Sequence, residues 1–114
     1  MHRFTTVLCL FVLTNCGSSE QQRRAYIMDR IEATAKLPEG WEGVSNYYRY
    51  YAYSMSEQGQ KLVEAQFVQS ERPGREWVEY HDLPQGMDAG CGVISVTFDV
   101  VGDRVVSALC NGLP

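Results

Sequence analysis

Apolar positions along this chain fall into three regimes: a solid block at residues 4–13, a stripe at helical spacing between residues 27 and 35, and period-two alternation from residue 47 onward. The block follows Arg3 and the α-amino group and has the form of the apolar core of a secretory signal. It is too short to span a bilayer, which takes about 20 residues of helix. The second regime predicts a helix starting at Ser19, because Ser19-Glu20-Gln21-Gln22 has the form of a capping box. Ile27, Met28, Ile31 and Ala35 then share one face, with Arg23, Arg24, Arg30 and Glu32 on the others. Leu37-Pro38-Glu39-Gly40 ends the helix, since proline pushes its predecessor out of the α region.

The third regime predicts strands. Residues 47–53 are dense in tyrosine, a strand former. Residues 62–69 alternate, with Val63, Ala65 and Phe67 on one face and Glu64 and Gln66 on the other. Turns are predicted at 56–60 and at 70–74, where Pro73-Gly74 is the signal. A third strand at 76–81 leads to a loop at 82–90. Residues 93–100 and 104–110 form a hairpin. A three-residue loop at 101–103 pairs Phe98 with Val106, Val96 with Ala108 and Ile94 with Cys110, which gathers one apolar face. The expected fold class is α+β, with one N-terminal helix packed on an antiparallel β-meander of about five strands. This layout resembles cystatin-type and nuclear-transport-factor-like curved sheets. Gln66-Phe67-Val68-Gln69-Ser70 matches the first and third letters of the cystatin Q-x-V-x-G hairpin and lacks its glycine. Architecture of this kind does not fix function.

Leu13-Thr14-Asn15-Cys16 closes the apolar block and opens a polar stretch. The junction resembles the lipobox of bacterial lipoproteins, in which the signal is cut before a cysteine that then carries lipid. Leu13 and Thr14 fit that pattern. Asn15 stands where the family has Gly, Ala or Ser. The resemblance implies a signal peptide at 1–15, a lipidated tether at 16–20 and a single domain at 21–114. Cys16 is the implied lipidation site, with acyl chains such as palmitate. One chain alone gives marginal membrane binding, and several give a firm anchor. Gly17 is not the Asp associated with inner-membrane retention, so the family implies an outer-membrane protein facing the periplasm. The alternative is a soluble periplasmic or secreted protein cut nearby. Of the four cysteines, Cys9 lies in the signal core and Cys16 is the anchor. Cys91 and Cys110 remain, and in an oxidising compartment a disulfide is the expected pairing. Gly90 and Gly92 flank Cys91 and permit the bend that this bridge requires.

The net charge is −4, and it becomes more negative once Arg3 is excised. No basic cluster lies beyond Arg23-Arg24, which argues against nucleic acid as a partner. The densest side-chain chemistry is aromatic. Tyr48, Tyr50, Trp77 and Tyr80 form a candidate binding surface for another envelope protein or a glycan. Trp41 reads as a lid over the end of the core. His81-Asp82 is the one histidine–carboxylate neighbour pair after the signal, and no nucleophile elbow accompanies it. No phosphate loop, dinucleotide fingerprint, metal-binding or calcium-loop motif occurs, so no cofactor and no metal are expected. The expected function is a non-enzymatic binding or envelope-assembly module. The alternatives are an inhibitor of a periplasmic hydrolase, acting through the loop before Cys91, and an enzyme using His81.

Overall fold

Between residues 3 and 34 the chain has no proline and a single glycine, Gly17, and it forms one continuous helix there, α1 (Arg3–Thr34). The computed structural model describes residues 3–38, 43–85 and 90–111, with side chains described from Ser19 onward. The helix start expected at Ser19 is thus absorbed into a longer helix, which also covers residues 16–20. A capping box acts only where backbone N–H groups are left without partners, and a preceding helical turn supplies those partners. Among the described residues no helix is long and apolar enough to cross a membrane. Ala35 N–H closes the last turn on the Ile31 carbonyl, and Pro38 lies just beyond.

Five strands follow: β1 (Tyr47–Met55), β2 (Lys61–Gln69), β3 (Gly74–Trp77), β4 (Gly90–Asp99) and β5 (Arg104–Asn111). The fold is α+β, as expected, and the sheet order is β3-β1-β2-β4-β5. The β1–β2 hairpin runs from Tyr47↔Gln69 to Met55↔Lys61. Its turn is closed by Ser56 N–H on the Gln60 carbonyl, with Gly59 at a φ of 85°.

The sheet is mixed, and this corrects the antiparallel meander. β3 pairs in parallel with β1, from Tyr48↔Gly74 to Tyr51↔Trp77. After β2 the chain crosses the start of β1, where Ser70 N–H donates to the Asn46 carbonyl. β2 is thereby left free to pair with β4, which sets Val63, Ala65 and Phe67 beside Phe98, Val96 and Ile94 in one apolar layer. The four residues of β3 take the exposed edge, the place for a short polar strand. The third strand accordingly lies at 74–77, not 76–81, and Tyr80–Asp82 forms a 3-10 turn.

One cluster makes the main core. Ile27 and Ile31 of α1 join Tyr47, Tyr51, Val63, Ala65, Phe67, Ile94, Val96 and Phe98, with Met28 and Ala35 packed against it. The helical stripe read from the sequence is therefore the buried one. Each fully buried aliphatic or aromatic side chain here contributes about 1.5–3 kcal/mol. Ala52, Leu83 and Val93 are buried outside this cluster.

In the last hairpin Ile94↔Cys110 and Val96↔Ala108 pair as expected. Phe98 pairs with Val105 and not Val106, because a bulge intervenes after Thr97 and leaves Val106 46% exposed. The loop is four residues long, with Asp103 in the left-handed region at φ 56°. The Asp99 carboxylate accepts the Gly102 N–H, which holds its pKa below the usual carboxylate range. Cys91 and Cys110 form a disulfide with their Cα atoms 4.5 Å apart. The register jumps between Gly90↔Asn111 and Ile94↔Cys110, and Gly90 sits at φ 58°. This irregularity is the bend that brings Cys91 across to Cys110. The buried Tyr47 hydroxyl ties it to the core by donating to the Cys91 carbonyl at 2.8 Å.

Candidate binding surface

Strand parity decides where the four aromatic candidates point. Tyr47, Arg49, Tyr51 and Tyr53 face α1, and Tyr48 and Tyr50 face away from it. The Tyr48 and Tyr50 rings lie 4.9 Å apart, tilted by 49°, and the Tyr48 hydroxyl donates to Glu76 at 3.2 Å. Trp77 is in register with Tyr51 and therefore lies on the helix side. Its ring is stacked on Tyr51 at 6.4 Å and edge-on to Tyr53 at 4.8 Å. Tyr80 is exposed and borders a shallow hollow with Tyr53, Ser54 and Met55. The four residues therefore do not make one strip. The register of β3 on β1 divides Trp77 from Tyr48 and Tyr50, a division that sequence spacing does not encode.

On the helix side the aromatic rings are roofed by cations. The Arg24 guanidinium lies 5.3 Å from the Trp77 ring centre and 6.0 Å from that of Tyr53, and Lys61 Nζ lies 4.7 Å from Tyr53. The Tyr53 hydroxyl donates to Glu20 at 2.8 Å. Burial, and then this bond, raise the Tyr53 pKa and keep the phenol neutral.

Beside them lies an ion cluster. Glu32 Oε2 accepts from Tyr51 Oη at 2.6 Å, Arg49 Nε at 3.1 Å and Arg75 Nη1 at 3.1 Å. Arg75 Nη1 also reaches Asp29 at 2.8 Å, and Arg49 Nη1 donates to the carbonyls of Val44 and Tyr47. Two cations and two anions balance, and one carboxylate oxygen joins α1 to β1 and β3. Burial foremost, and then donation to Glu32, push the Tyr51 phenol far above its ordinary pKa. Glu32, expected on an outer face of the helix, thus turns towards the sheet. Two signals in the sequence pointed to this cluster. Asp29 and Glu32 flank the Ile27/Ile31 stripe three residues apart. Arg49 is the one cation among β1 residues that share parity with Tyr47 and Tyr51.

The opposite face carries a polar recess of about 190 Å³ lined by Glu64, Gln66, Tyr80, Leu83, Pro84, Gln85 and Asn111. Thr97 Oγ1 donates to Glu64 at 2.9 Å, and Ser95 Oγ donates to Gln66 Oε1 at 3.0 Å. Burial raises the Glu64 pKa, partly offset by the Thr97 bond. The folded state therefore favours the protonated acid. The penalty is absent below the unfolded pKa, grows as pH rises above it and is complete above the raised folded pKa. Glu64→Gln keeps an acceptor for Thr97 and removes the charge. At pH 7 it is expected to stabilise the fold by up to about 1 kcal/mol, a value held low by the partial exposure of the site. Thermal melts at pH 7 and pH 3.5 check this: the gain should shrink towards zero at the lower pH, and a destabilised variant at pH 7 contradicts it.

The chain has no significant match among protein-family models, curated proteins or solved structures.

Chemistry must then be read from the side chains themselves. His81 stands 81% exposed, and its nearest charged neighbour is Asp82 at 3.6 Å. A side chain so exposed gives the His81 enzyme reading no geometric support. Glu76 and Glu79 are exposed. Among the described residues no three His, Cys, Asp or Glu side chains are grouped to hold a metal. Trp41 and residues 86–89 of the loop before Cys91 lie outside the described residues, as does the side chain of Cys16.

Proposed function

We propose that this chain is a small cell-envelope lipoprotein, anchored through Cys16 to the outer membrane and facing the periplasm, whose α+β domain is a non-enzymatic binding or envelope-assembly module. The Cys91–Cys110 disulfide is the observation that carries the reading. Structural disulfides persist in oxidising compartments, which is where the signal-like N-terminus would deliver the chain. The disposition of α1 is compatible with cleavage before Cys16. Among the described side chains, Glu20 is tied to the sheet through Tyr53, and the first core residue is Ile27. Removal of residues 1–15 takes away none of these contacts.

Intact-mass measurement of the membrane-extracted protein tests the anchor. The expected mass is that of residues 16–114 plus three acyl chains. Cys16→Ser is expected to move the protein to the soluble or unprocessed fraction, since the several acyl chains that hold it at the membrane attach there. Wild-type protein recovered soluble and unacylated overturns the anchor and leaves the soluble periplasmic or secreted alternative.

A further inference from the structure

Among the described residues β5 is an edge strand, paired with β4 alone. A groove of about 440 Å³ runs beside it, lined by the consecutive residues 104–108 together with Arg30, Thr34 and Lys36 of the helix end and the segment just after it. Consecutive strand residues point to alternate faces, so all of them border one groove only where it follows the backbone edge. This groove therefore gives access to the unpaired N–H and C=O groups of β5.

Its charge is distinctive. Among the described residues, three cations, Arg30, Lys36 and Arg104, line it and no acid does, in a chain of net charge −4. Two carboxylates stand just outside and are already engaged. Asp103 lies 3.6 Å from Arg30 Nε and accepts the Tyr26 hydroxyl at 2.9 Å. Asp99 faces Arg104 and accepts the Gly102 N–H. Arg30 Nη2 donates to the Asp103 carbonyl at 3.4 Å, while its Nε, beside the Asp103 carboxylate, makes no hydrogen bond. The bulge between Val105 and Ser107 turns Val106 outward, and Leu109 is 65% exposed further along the strand.

We propose that the β5 edge is a docking site for an extended acidic peptide segment of a partner protein, which adds a strand along residues 106–111 and places its carboxylates against Arg30, Lys36 and Arg104. The inference rests on the binding-module reading and names its surface and partner chemistry. Strand addition supplies main-chain hydrogen bonds, and the cationic end supplies selection for acidic sequences. Charge argues against a second copy of this chain as the occupant. Two β5 edges brought together around a two-fold axis present the same cationic groove twice, and β5 carries no acid to answer it.

The experiment uses the full-length chain in detergent and a synthetic eight-residue peptide of alternating Glu and Val, with an alternating Lys and Val peptide as control. The acidic peptide is expected to bind with a Kd of roughly 10–100 µM by calorimetry, weakened severalfold by 0.5 M salt. Backbone amides of β5 with no partner in β4 should exchange at least about tenfold more slowly in the complex. Lys36→Glu and Arg104→Glu, both at exposed positions, should each weaken binding about fivefold or more while thermal melts stay near those of the parent. Equal binding of the basic peptide, unchanged exchange along β5, or self-association of the free chain through this edge overturns the proposal. Failure here is distinguishable from failure of the module reading. A partner crosslinked in the envelope as efficiently by the Lys36→Glu/Arg104→Glu chain as by the parent rejects this surface and keeps the module; recovery of no partner by either chain rejects both.

Discussion

Glu32→Ala is expected to lower the unfolding free energy by about 3 kcal/mol, a large share of the stability of a domain this size. The side chain is 18% accessible, and its Oε2 satisfies three donors from two strands. Its removal leaves the half-buried Arg49 and Arg75 short of one negative charge and the buried Tyr51 hydroxyl without its acceptor. Full burial would put the cost higher, and the 29% accessibility of Arg75 holds it near the lower end of values for broken buried pairs. Two companions apportion the effect. Tyr51→Phe removes one hydrogen bond and should cost about 1 kcal/mol. Glu32→Gln retains an acceptor but no charge and should fall between Tyr51→Phe and Glu32→Ala. Urea denaturation with an unchanged slope is the measurement. A loss below about 1 kcal/mol for Glu32→Ala would show that the cluster is solvated and that the remaining contacts, led by the buried Ile27 and Ile31, hold α1 to the sheet without it.

Reduction of the Cys91–Cys110 bridge is expected to cost a similar amount. The bonded residues are 19 apart in sequence, for which loop-closure entropy gives about 3 kcal/mol. Melting temperature should fall by roughly 10–20 °C in reductant, and the Cys91→Ala/Cys110→Ala chain should melt at the lower value with or without it. The loss should be felt beyond the hairpin, because the Tyr47 hydroxyl binds the Cys91 carbonyl and Tyr47 is wholly buried in the core. Equal melting temperatures for oxidised and reduced wild type would mean that the bulge at Gly90 holds its shape without the bond.

The two clusters differ in how far they could be read in advance. The cysteine pair was legible because the lipobox resemblance set Cys9 and Cys16 aside as candidates for other roles, and because Gly90 and Gly92 mark where the strand bends. The register of the last hairpin was legible at Ile94↔Cys110 and Val96↔Ala108. It slipped at Phe98, where Asp103 closes a four-residue loop and the bulge absorbs the difference. The candidate aromatic surface was legible as residue types but not as a place. Tyr48 and Tyr50 lie on one face and Trp77 on the other, since the register of β3 on β1, with Trp77 opposite Tyr51, sets which of its residues meets which face. Glu32 was assigned to solvent from its polarity, although it lies at the margin of the apolar stripe where a long side chain reaches the sheet.

Local periodicity in the sequence determined that residues 27–35 bury one helical stripe and that residues 62–69 and 93–100 bury one face each, because side-chain spacing of this kind needs only the geometry of a single element. Tertiary structure alone decided the strand order, the parallel β3, the placement of Arg49 and Arg75 under one glutamate, and the open edge of β5. Those features depend on which element becomes whose neighbour, and that choice is made by the apolar layer that β2 and β4 complete together, between residues some thirty positions apart.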